Sequence, residues 1–77
     1  MRMKLAVYWL TKDERVRQAI RERFKMFKYE NVNGESPIEV EDDDMPVLEE
    51  CQRRGFLRIL PKKWCKKGGI IIFTNRN

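Results

Sequence analysis

KLAVYWLT, residues Lys4 to Thr11, decides the architecture. Leu5 to Leu10 are six apolar residues in a row, rich in β-branched and aromatic types, and they stop at a helix-start signal. A half-buried strand alternates apolar and polar residues. An unbroken run predicts a strand covered on both faces, in the middle of a sheet. Ile70 to Phe73 is a second unbroken run, which predicts a neighbour for the first.

Working outward, Thr11-Lys-Asp-Glu14 has the form of a capping box, with Thr11 as N-cap and Glu14 reaching back. Val16, Ala19, Ile20, Phe24 and Phe27 recur at helical spacing, so a helix is expected over 12–28. Arg23 falls inside that stripe, its stem packed and its head turned to solvent or a carboxylate. Asn33-Gly34 and Ser36-Pro37 mark a turn region. The alternating Ile38 to Glu41 reads as a short strand, placed at an edge because Pro37 has no amide donor. Asp42-Asp43-Asp44 followed by Met45-Pro46 predicts a second helix start, capped by an aspartate, with Val47, Leu48 and Cys51 toward the core. Gly55 ends that helix in a left-handed conformation, and Phe56 folds back. Phe56 to Leu60 and Ile70 to Thr74 are the last two strands, and Pro61 to Gly69 between them reads as a protruding loop. The expected fold is a small α+β two-layer sandwich, β-α-(β)-α-β-β, with two helices on one face of a small mixed sheet.

The length of 77 residues predicts one domain, 1–77, with a core that buries roughly 60% of the unfolded chain's surface. A hydrophobic fraction of 42% beside a charged fraction of 38% favours a folded domain over general disorder. The first apolar run is too short for an export signal, and no stretch approaches a membrane span. Two cysteines without an export signal predict free thiols in a cytoplasmic protein, with no membrane partner.

The charge map is the most informative feature. Residues 1–29 carry nine basic and three acidic side chains, residues 30–50 nine acidic and no basic, and residues 51–77 eight basic and no acidic. The net charge of +5 hides that separation, and separated charge builds a strong surface field. Arg17, Arg21, Lys25 and Lys28 are spaced to form a basic ridge on the first helix. It is either a solvated face, a phosphate-tracking face, or a partner for the acidic segment. Lys62, Lys63, Lys66 and Lys67 flank Trp64; lysines contact phosphates, and an aromatic among them stacks on a base or enters a groove, turns inward to pin the loop, or meets an acidic protein or membrane surface. The acidic run from Glu39 to Asp44 has no calcium-loop spacing and reads as a helix cap with a solvated loop.

The chain has no histidine, the commonest general base and metal ligand. Cys51 and Cys65 have no further ligands near them, and Gly68-Gly69 lacks the surroundings of a phosphate-binding loop. No enzyme activity, metal or small-molecule cofactor is expected.

Val47 to Thr74, reading VLEECQRRGFLRI, a basic loop, then GGIIIFTN, resembles the recognition-helix-and-wing half of a winged-helix DNA-binding domain. In that family a helix ends at a glycine, a strand begins with an apolar pair, and a basic loop returns into a last strand. The pattern departs from that family in opening its helix with three aspartates and in having a Gly/Pro-containing segment where the preceding helix belongs. Two functions follow from the residues: nucleic-acid binding (DNA or RNA) through Arg17, Arg21, Lys25, Lys28, Lys62, Lys63, Trp64, Lys66 and Lys67, or a protein-interaction module whose patches meet an acidic protein partner or form a homodimer.

Overall fold

The computed structural model describes residues 1–75. The elements run β1 (Arg2–Trp9), α1 (Glu14–Phe24), β2 (Glu35–Glu41), α2 (Met45–Arg53), β3 (Leu57–Lys67) and β4 (Ile70–Asn75), with a 3-10 turn at Asp42–Asp44 leading into α2. The sheet order is β2-β1-β3-β4. β1 is therefore internal, as its unbroken apolar run predicts, β2 with Pro37 lies at one edge, and the second unbroken run, in β4, lies at the other. Two expectations are corrected. Every strand pair is antiparallel, so the sheet is not mixed. Ile70 to Phe73 also pairs with β3 rather than β1, because β2 already occupies the other side of β1.

Cross-strand register puts Met3, Leu5, Val7 and Trp9 on one face with Ile38, Val40, Leu57 and Ile59. Ile20 and Phe24 of α1 and Leu48 of α2 close over that face into one core. The two helices thus form one layer and the sheet the other. Along β3, Leu60, Pro61 and Lys62 together oppose only Ala6, since Ile59 pairs with Val7 and Lys63 with Leu5. Pro61 has no donor for a ladder, and the bulge absorbs it without flipping the faces.

Helix ends show what local rules missed. The N-cap of α1 is Asp13, whose carboxylate accepts from the Arg15 amide at 3.0 Å, not Thr11. Thr11 Oγ1 instead accepts from the Asp13 amide, and Glu14 turns to Arg21, so no capping box forms. α1 stops at Phe24 rather than residue 28 because Lys25 adopts a left-handed φ of 56° and its amide turns back to the carbonyls of Arg21 and Glu22. No aspartate side chain caps α2; the 3-10 turn supplies its entry. At the other end Gly55, at φ 79°, donates to Gln52 O and Phe56 donates to Cys51 O. That pair of hydrogen bonds is a Schellman cap, as the Gly-Phe pair predicts.

Candidate nucleic-acid interface

Residues 61–69 do not form a loop. Lys62 to Lys67 pair residue for residue with Asn75 to Ile70, and Gly68-Gly69 alone makes the turn. Both glycines have positive φ, 56° and 80°, as a two-residue type I′ hairpin demands. A Gly-Gly pair between two strand-forming runs carried that signal; the cluster of lysines obscured it. β1 pairs with β3 no farther than Lys63, so the last residues of β3 and their β4 partners project as a two-stranded ribbon. Lys63, Lys66 and Lys67 are exposed on it and take part in no ion pair among the described residues. Lys63 and Lys67 share one face, and Lys66 lies on the other.

Lys62 is different. Its ammonium reaches across to Glu35, which also accepts from the Asn31 side-chain Nδ2 at 2.8 Å. Lys62 first, and Asn31 second, hold the Glu35 carboxyl below the usual carboxylate range. Lys62 is a brace inside the fold, not a free phosphate ligand.

Trp64 is the clearest correction. The indole is only 7% exposed and its Nε1 donates to Ile38 O at 2.9 Å. To reach β2 from β3 it crosses β1 on the face opposite the helices, where Ala6 is fully buried. Phe27 meets it edge-on at 5.9 Å, and the Lys4 ammonium sits over its ring at 5.2 Å. The ring therefore has no face left for a base. It forms a small second core that covers the middle of β1, while Tyr8 and Leu10 stay exposed farther along.

The predicted basic ridge is split by local geometry. Arg17 and Arg21 both stack toward Trp9, at 5.9 and 5.5 Å. Arg17 Nε donates to Thr11 O at 2.8 Å, and Arg21 pairs with Glu14 at 2.8 Å with its side chain only 11% exposed. Arg21 is the main cause of a lowered Glu14 carboxyl. Lys28 lies 3.9 Å from the same carboxylate, and Lys25 caps the helix with its side chain exposed. The two arginines are thereby spent on structure, and the phosphate-tracking face dissolves.

The acidic segment is likewise engaged at home. Arg2 reaches Glu39 at 3.1 Å and Glu41 at 2.9 Å, Arg23 reaches Asp44 at 3.2 Å, and the Met1 amino group lies 3.7 Å from Glu41 and from Asp42. Folding cancels much of the charge that the chain order separates. Among the described residues Lys63, Lys66 and Lys67 stay unpaired on the ribbon, as do the exposed Lys12, Lys25 and Arg58 elsewhere.

No protein-family model, curated protein or solved structure matches the chain. Where the winged-helix likeness has a basic loop, β3 and β4 form a paired basic hairpin. However, strand β2 precedes α2, so there is no helix-turn-helix pair, and Leu48 faces the core.

Among the described residues no three His, Cys, Asp or Glu side chains come together in a metal-binding group, and no helix is long and apolar enough to cross a membrane. Both cysteines are free. Burial pushes the Cys51 thiol up, whereas Cys65 is exposed on the ribbon. Cys65 should react with a disulfide reagent in the native protein at least tenfold faster than Cys51, because the thiolate is the nucleophile and access limits the rate (an order-of-magnitude expectation). Equal rates, followed by mass spectrometry of the native protein, would contradict this placement.

Proposed function

We propose that the protein binds nucleic acid through the phosphate backbone, using the β3–β4 ribbon. The observation that carries this reading is the exposed trio Lys63, Lys66 and Lys67, in no ion pair among the described residues and gathered on one two-stranded hairpin, whereas the other exposed cations without an ion pair, such as Lys12, Lys25 and Arg58, lie apart in the chain on other elements. Lysines on both faces of a projecting ribbon suit a polyanion that passes alongside it, and the Trp64 ring among them is buried rather than free to stack on a base. Affinity of this kind is general rather than sequence-specific and depends on counterion release.

The test is a titration of duplex and single-stranded DNA and RNA at several salt concentrations. Wild type should lose affinity log-linearly with salt. Changing Lys63, Lys66 and Lys67 together to alanine should flatten the slope by up to about 2.7 for duplex DNA, at about 0.9 per phosphate contact. Exposed substitutions of this sort stay within about 0.5 kcal/mol each, so the melting temperature should barely move. Absence of any binding by wild type at low salt would sink the proposal, as would an unchanged slope in the triple variant.

A further inference from the structure

We infer that the outer edge of β4 pairs with β4 of a second copy, antiparallel about a two-fold axis through Ile72, to make a continuous eight-stranded sheet. The two edges of the sheet are treated very differently. β2 is blunted: Pro37 removes a donor, Asn31 takes both the Glu35 amide and its carbonyl, and Glu39 and Glu41 put charge along the strand. β4 carries none of these devices. Ile70-Ile-Ile-Phe-Thr-Asn75 has no charge, no proline and no bulge, its pairing with β3 is regular, and Ile70 and Ile72 stand 67% and 39% exposed. An unprotected apolar edge of that kind is a template for another strand.

The occupant follows from what such an edge selects. A row of amide and carbonyl groups flanked by isoleucines is filled by an extended apolar strand, since β-branched and aromatic side chains gain most from like neighbours across a pair. β4 is itself such a strand. Two-fold antiparallel pairing requires one residue to face its own copy. With Ile72 in that place, Ile71 meets Phe73 of the second copy and Ile70 meets Thr74, which uses nearly the whole strand. The lysines do not oppose this. They sit on β3, so Lys67 and Lys63 of the second copy are three strand spacings apart, about 14 Å. That exceeds the screening length of about 8 Å at physiological salt. A head-to-tail chain of β4 on β2 is disfavoured by the protected edge of β2, which leaves a closed dimer rather than a filament. The pairing is independent of the phosphate-binding proposal, and it would place both copies' Lys63 and Lys67 along one face.

The experiment is sedimentation of wild type, without nucleic acid, from micromolar to millimolar concentration, beside Ile70→Lys and Ile72→Lys. Wild type should show a concentration-dependent dimer, and both variants should stay monomeric with unchanged circular dichroism. A cysteine scan keeps the test sharp should a lysine variant fail to fold. In a Cys51→Ser, Cys65→Ser background, Ile72→Cys should oxidise to a cross-linked dimer, because self-facing residues in an antiparallel pair bring their Cα atoms to about 4.5–5.5 Å, within disulfide reach. Ile70→Cys, which meets residue 74, should not. A wild type that is monomeric throughout, a dimer that survives both lysines, or failure of Ile72→Cys to cross-link in preference to Ile70→Cys would overturn the inference.

Discussion

Trp64→Ala should destabilise the protein by about 3–5 kcal/mol, the usual cost of emptying a large aromatic site. A 77-residue chain has a total stability on the order of 4–11 kcal/mol, so the loss removes at least about a quarter of it and unfolds the protein at the lower end of that range. The reasoning rests on position. Trp64 alone reaches from β3 across β1 to the Ile38 carbonyl, and it covers Ala6 while Phe27 closes on its edge. Removing it opens the second core to water along the central strand. Trp64→Phe separates the contributions: it keeps most of the apolar volume and loses the donor to Ile38 O, a change of about 1 kcal/mol for the bond itself plus the space left behind. Urea unfolding of the three proteins decides the matter. A loss below about 1 kcal/mol for the alanine variant would mean that the indole faces solvent, and the nucleic-acid role set aside for it would return.

Leu48→Ala should cost about 2–5 kcal/mol. Leu48 is fully buried and is the one buried residue of α2, so it holds that helix to the core formed by β1, β3 and α1. Its neighbour Val47 is 38% exposed, and Val47→Ala should change stability by no more than about 0.5 kcal/mol. The contrast between adjacent positions is the informative part. Equal effects would mean that α2 is rotated from its described orientation. Loss of the Leu48 anchor should also free the Schellman cap at Gly55 and Phe56, so amide exchange in α2 should rise well before that of β1.

Much of the fold was legible in short stretches of sequence. The central place of β1 followed from an apolar run too long for a half-exposed strand. The Gly55-Phe56 cap followed from one residue that tolerates a left-handed backbone next to one that can fold back. Arg23 inside an apolar stripe implies a packed stem with its head in solvent or on a carboxylate, and the head meets Asp44. Each of these rests on interactions within a few residues or on a bulk preference for burial.

The interface residues were less legible, for a different reason. Counting charge along the chain gives a separation that the fold partly undoes, because Arg2, Arg23 and Lys62 meet carboxylates 21 to 39 positions away in sequence. Arg17 and Arg21 were placed on a free ridge, yet the end of β1 brings Trp9 beneath them. Trp64 offered two readings that no local rule separates, since flanking lysines look alike around a stacking residue and around a buried one. The antiparallel order β2-β1-β3-β4 chose between them by carrying Ile38 and Phe27 to the indole. Sequence alone determined the two helices, the four strands, the two layers and the internal place of β1, because these depend on periodicity and local capping, but not the extension of β3 through Lys67. Only the tertiary structure decided which charges remain free, that Trp64 belongs to a core, and that β4 is left as the open edge, because each depends on which distant segment lies alongside.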